Sequence, residues 1–158
     1  MPEIGPSSTI TEARAWLRER LQEGAKCPCC TQNARTYKRT ITSGAAAGLV
    51  HAYLAHGVDN LFHAPSDPAL ARLGGEWARL ALWNLIEEAP TARDDGGRAG
   101  YWMVTPKGAG FVRDGLLVPK HLYLFDGRVM GSSLEQLTIR EALGHRFDLR
   151  ELLERGAA

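Results

Sequence analysis

The hydrophobic pattern of this chain changes period after Ile86, and that change limits what it can fold into. Before it, apolar residues recur at helical spacing; after it, short extended stretches around Asp-Gly pairs alternate with short helices. Thr9 and Glu12 form a capping box ahead of Ala13, Trp16, Leu17 and Leu21, which predicts a helix over 10–23 that stops at Gly24. Ser43 is placed to cap a second helix ending at His56 before Gly57, with Ala47, Val50, Tyr53 and Leu54 on its apolar face. Asp67-Pro68 opens a short helix to Leu73, Gly74-Gly75 breaks it, and a third helix is expected over 76–86. The segment 93–98 then reads as a turn, Tyr101 to Val104 as the returning strand, and Thr105-Pro106 as the start of another helix ending by Gly115. Asp126-Gly127 centres a second hairpin, and short helices are expected over 138–143 and 148–155. The fold class expected is α+β, mostly α. Three segments are expected: a tail, helix and Cys-rich turn over 1–42, a central domain over 43–115, and a hairpin with short helices over 116–158.

Charge narrows the functions. The 19 Lys plus Arg nearly cancel the 18 Asp plus Glu, and 44% of the residues are hydrophobic, so the composition is that of a packed domain and not of a disordered chain. A net charge of +1 argues against holding nucleic acid by bulk electrostatics, so any basic patch must be local. Only four of the basic residues are Lys, and Arg suits forked recognition better than diffuse attraction. No window approaches the roughly 18 apolar residues of a membrane span, and Glu3, Glu12 and Glu19 interrupt the start, where a signal peptide would need an apolar run. Cys27, Cys29 and Cys30 are too close together to staple distant parts of the chain. A cytoplasmic protein without membrane contact or structural disulfide is expected.

The order of elements over 43–114 resembles a winged helix-turn-helix domain. The stretch Tyr101-Trp102-Met103-Val104-Thr105-Pro106-Lys107-Gly108 is similar to the wing-to-helix junction of MarR-like transcription regulators. The resemblance covers less than half of the chain. Cys27-Pro28-Cys29-Cys30, Tyr37-Lys38-Arg39, Leu82-Trp83-Asn84-Leu85-Ile86-Glu87 and Gly100-Tyr101-Trp102 also resemble small uncharacterised proteins of phages and mobile elements, a likeness that implies no activity.

The winged-helix resemblance implies that the third helix enters a major groove, with Arg79 and Asn84 reading bases, and that Arg93 and Arg98 on the wing and Lys107 beyond it meet phosphate or minor groove. Arg35, Lys38 and Arg39 would add phosphate contacts if the N-terminal part folds beside the wing, and Arg14 and Arg18 would do the same. On this reading the chain is a DNA-binding regulator of phage or mobile-element type acting as a homodimer. The alternative is an interaction protein, for example a phage protein meeting a host factor, whose winged helix is a protein interface. Glu76 near the start of the reading helix favours the alternative.

Cys27 and Cys30 have the spacing of half a zinc knuckle, and a tetrahedral ion needs two more ligands; Cys29 and His63 are the candidates to complete the shell. His51 and His56 lie five apart and are splayed around the helix. No Walker or dinucleotide glycine pattern occurs, and no His has a carboxylate partner at readable spacing, so no enzyme is expected. Trp77, Trp83 and Trp102 fall on apolar faces and are expected in the core. The second hairpin offers two apolar faces, one for the core and one for either a partner or the terminal helices.

Overall fold

The computed structural model describes residues 3–89 and 100–156, and the fold is mixed α and β. In chain order the elements are α1 (Ile10–Arg18), β1 (Ala25–Lys26), β2 (Asn33–Ala34), β3 (Tyr37–Arg39), α2 (Ser43–His56), β4 (Phe62–His63), α3 (Pro68–Ala71), α4 (Gly75–Arg79), β5 (Ile86–Glu88), β6 (Tyr101–Val104), α5 (Pro106–Arg113), β7 (Val118–Pro119), β8 (Leu122–Phe125), β9 (Arg128–Ser132), β10 (Gln136–Leu137), α6 (Ile139–Leu143) and α7 (Leu149–Gly156). Among the described residues no helix is long and apolar enough to cross a membrane. Two compact units result, one from residues 1–39 with 122–132, the other from 40–121 with 133–158.

In the first unit the capping box forms: Glu12 N–H donates to Thr9 Oγ1 at 3.2 Å and Thr9 N–H to Glu12 Oε2 at 2.7 Å. The helix ends at Arg18, earlier than the expected residue 23. The Leu21 carbonyl there accepts from Thr36 N–H at 2.9 Å, a long-range bond that competes with helix continuation, while the Leu21 side chain is buried. Residues 31–41, polar and expected as a loop with room for one short strand, supply the two strands β2 and β3. The β3, β8 and β9 strands form one antiparallel sheet in that order, with Tyr37 opposite Leu124 and Arg39 opposite Leu122. Asp126 and Gly127 both take positive φ, 52° and 72°, as a two-residue hairpin turn requires. The hairpin thus joins the N-terminal segment, whereas the terminal helices α6 and α7 pack on α2 in the second unit.

The second unit is built around α2. Thr42, rather than Ser43, caps it by accepting from Ala45 N–H at 3.1 Å. Of the apolar face expected from Ala47, Val50, Tyr53 and Leu54, only Val50 is buried, and the other three are half-buried. Ala45, Ala46, Gly48, Leu49, Val50 and Ala52 are buried, because α3, α4, α5, α6, α7 and β6 all pack against this one helix. Small residues make that crowding possible. A Cβ on Gly48 would lie 2.4 Å from Leu73 Cδ1. The β4, β6 and β5 strands form an antiparallel sheet with β6 in the middle, and β7 pairs with β10. Trp77, Trp83 and Trp102 are core residues as expected: the Trp77 and Trp102 rings meet edge to face at 6.5 Å, and Trp83 Nε1 donates to the Pro119 carbonyl at 2.8 Å.

Candidate functional site

The α3–α4 pair carries two of the exposed Arg side chains of the second unit, Arg72 and Arg79; Arg113, Arg140, Arg146, Arg150 and Arg155 are exposed elsewhere in it. Asp67 caps α3 by accepting from Ala69 N–H at 3.0 Å, Pro68 occupies the first helical position, and Gly74 turns the chain at φ +53°. The helix expected over 76–86 is shorter and tighter. α4 ends at Arg79, a 3-10 turn spans Leu80–Trp83, and β5 begins at Ile86. Leu70, Trp77, Leu80 and Trp83 point into the core, which leaves Arg72 and Arg79 exposed.

Asn84, expected on the helix, lies beyond it in a left-handed conformation with φ 60°. Its side chain is exposed, but its carbonyl accepts from Thr105 Oγ1 at 2.6 Å, so its backbone serves the junction with α5. Lys107 is exposed in the first turn of α5. Arg93 and Arg98 lie outside the described residues. Three carboxylates share this part of the unit: Glu87 and Glu88 are exposed on β5, and Glu76 is half-buried, accepting from Thr42 Oγ1 at 3.1 Å. A groove of about 920 Å³ runs along α2 and α3, with His51, Arg72, Glu76, Arg146 and Arg155 among its walls. Arg72 had no role in the expected set; its signal was its place at the end of the short helix, just before the glycine turn.

Arg35, Lys38 and Arg39 belong to the first unit. Arg35 stacks over Tyr37 with its guanidinium carbon 5.9 Å from the ring centroid, Lys38 is exposed and Arg39 is half-buried.

His51 and His56 do have a carboxylate partner, contrary to expectation. Asp67 Oδ2 accepts from His51 Nε2 at 2.7 Å and from His56 Nε2 at 3.0 Å, while the other oxygen caps α3. His56 also stacks on Phe62 at 4.3 Å. The five-residue spacing that splays the two rings around α2 is bridged by a single carboxylate arriving from the next helix. Burial pushes the Asp67 carboxyl up, but the hydrogen bonds from His51 and His56 and the Ala69 amide outweigh it and hold the pKa below its ordinary value. The cluster ties α2 to the N-terminal end of α3.

The cysteines sit at the tip of the β1–β2 hairpin. Cys27 N–H donates to the Gln32 carbonyl at 2.8 Å, Thr31 N–H donates back to the Cys27 carbonyl at 2.9 Å, and Thr31 turns the chain at φ 62°. Hydrogen bonding from the Cys30 and Cys29 amides, and to a lesser extent from their thiols, holds the Cys27 thiol below its ordinary pKa against the opposing effect of burial. Cys29 and Cys30 are exposed and Cys27 is half-buried. His63 belongs to the other unit, where its Nδ1 lies 2.5 Å from Ser66 Oγ. Among the described residues no group of three or more His, Cys, Asp or Glu side chains is arranged to hold a metal ion.

Comparison of the chain with protein-family models, with curated proteins and with solved structures returns no match.

Proposed function

We propose that residues 43–113 are a winged helix that binds duplex DNA, with α3 and α4 as its helix-turn-helix and β5 and β6 as the strands of its wing. The observation that carries this reading is the sheet order β4-β6-β5 beside a helix pair that exposes Arg72 and Arg79. A strand placed between α2 and α3 in the chain pairs with β6, and so ties the wing to the helices that would enter the groove. Arg79, on the exposed side of α4, has the forked donors that read a guanine edge; Arg72 and Lys107 flank it as phosphate contacts. Regulation in a phage or mobile element is the biological setting that the sequence resemblance suggests.

Fluorescence anisotropy with labelled duplex, at about 50 mM and about 200 mM salt, tests the reading, because phosphate-driven binding weakens steeply over that range. Arg79→Ala is expected to cost about 1–3 kcal/mol and to relax sequence preference, whereas Arg72→Ala should weaken all sequences alike and lower the salt slope by about one unit. Absence of duplex binding by the parent protein at micromolar concentration and low salt overturns it.

A second reading, a protein interface, is favoured by Glu76, Glu87 and Glu88 on the same unit and by the net charge of +1. Exposed carboxylates beside the reading helix repel phosphate and suit a basic protein surface. That reading predicts no duplex binding at either salt concentration.

A further inference from the structure

We propose that the groove along α2 and α3 binds a phosphate monoester of nucleotide size, with Arg72, Arg146 and Arg155 holding the phosphate. The inference does not rest on duplex binding: of these three guanidiniums only Arg72 belongs to that reading, and Arg79 is not among the walls of the groove.

The floor of the groove is one face of α2. Gly44, Ala47, Gly48 and His51 follow one another at helical steps of three and four, so they share that face, and the first three leave it almost bare of side chains. Gly48 is required there, because Leu73 in the facing wall comes so near that a Cβ would stand 2.4 Å from its Cδ1. The one large side chain of this face, His51, is anchored at its edge by the 2.7 Å bond between its Nε2 and Asp67 Oδ2.

Three separate segments supply the cations. Arg72 closes the end of α3, Arg146 lies between α6 and α7, and Arg155 lies in the last turn of α7. Among the described residues, neither Arg72 nor Arg146 has a carboxylate within ion-pair distance. Arg155 bonds Glu151 one turn back on its own helix, an exposed pair of little worth that a ligand can replace. Glu76 is the one carboxylate among the described walls, and it already accepts from Thr42 Oγ1 at 3.1 Å. Three positive charges against one leave the walls at +2. That charge matches a phosphate monoester, which carries about −1.5 to −2 near neutrality, better than it matches a single carboxylate. Planar guanidinium forks also fit phosphate oxygens two at a time.

Size sets the rest of the ligand. A free phosphate ion fills a small part of a groove of about 920 Å³, whose volume is that of sites for larger organic ligands. Leu73, Phe147 and Leu152 add apolar wall beside the cations, and Arg146 stacks over the Phe147 ring at 5.2 Å. A nucleoside 5′-monophosphate supplies both a dianion for the arginines and a flat ring for the apolar wall.

The test is titration calorimetry of the full chain with each of the four common nucleoside 5′-monophosphates, with inorganic phosphate and with the unphosphorylated nucleosides. One bound nucleotide per chain is expected, with inorganic phosphate and the nucleoside each weaker by at least about tenfold, and with amide NMR shifts at Gly44 and Gly48 on binding. Arg146→Ala and Arg155→Ala should each weaken binding about tenfold with circular dichroism unchanged. Arg146→Lys should recover only part of the loss, since it keeps the charge without the fork. Arg140→Ala, at an exposed position of α6 outside the groove, should leave binding unchanged, and so should Arg79→Ala, which separates this site from duplex binding. No binding of any nucleotide at millimolar concentration, inorganic phosphate bound as tightly as the nucleotide, or an equal loss in Arg140→Ala each overturns the proposal. If Arg155→Ala does not fold, Arg146→Ala and Arg146→Lys decide.

Discussion

Adding a single methyl group at Gly108 is expected to destabilise the protein by about 3 kcal/mol, the upper end of what overpacking usually costs. Gly108 lies in the first turn of α5, where helix propensity alone predicts the opposite, since Ala is favoured over Gly by about 1 kcal/mol in a helix interior. Packing outweighs propensity here. A Cβ at position 108 would stand 2.1 Å from the Leu85 carbonyl oxygen and 3.0 Å from its carbon, and both are backbone atoms that cannot rotate away. The junction cannot separate cheaply either. Thr105 N–H donates to that same Leu85 carbonyl at 3.1 Å, and Thr105 Oγ1 bridges the Asn84 carbonyl at 2.6 Å and Gly108 N–H at 3.0 Å. Urea unfolding followed by the fluorescence of the buried Trp83 and Trp102 measures the effect. A Gly108→Ala midpoint equal to or above that of the parent would show that the contact is not as close as described.

Asp67→Ala is expected to cost about 2–3 kcal/mol, from a lost helix cap worth about 1 kcal/mol and two lost hydrogen bonds to a charged acceptor. The hydrogen-bond share is kept low because the His51 side chain is 41% exposed and water can replace part of what it loses. Asp67→Asn separates the two contributions, since Asn caps a helix as well as Asp but cannot hold both rings as a carboxylate does; about half of the loss is expected. The pH dependence follows from the lowered pKa. Folding favours the ionised carboxylate, so its contribution is fully present above the unfolded-state value of about 3.9 and is lost as pH falls through the lower folded-state value. The stability difference between parent and Asp67→Asn should therefore shrink as pH falls below about 4. Denaturant midpoints of both proteins between neutral and acid pH test this; a difference unchanged into strong acid would remove the charge from the account.

Much of the local structure was legible because its causes lie within a few residues. The Thr9–Glu12 box, Asp67-Pro68, Thr105-Pro106 and the Asp126-Gly127 turn all formed as their sequences imply, since a cap or a two-residue turn is complete within one helical turn or one hairpin. The early stop of α1 was not legible, because the bond that competes with the helix comes from Thr36. Nor was the cap of α2: Ser43 and Thr42 are both competent, and Thr42 takes the position while its hydroxyl also bonds Glu76.

The candidate sites divide along the same line. Arg79 and Lys107 could be named from helix position and are exposed, whereas Asn84 was misplaced because tertiary packing cut the helix short with a 3-10 turn and a left-handed residue.

What the sequence by itself determined is the set of short-range decisions: where helices open, where hairpins turn, and that Cys27 and Cys30 share one turn. Only the tertiary structure decided the pairing of β3 with β8 from distant parts of the chain, the meeting of His51 and His56 on Asp67, and the contact that requires glycine at 108. The physical reason is range. Caps and turns satisfy backbone groups near in sequence, whereas a shared carboxylate or a missing Cβ acquires its meaning from an atom that folding brings near.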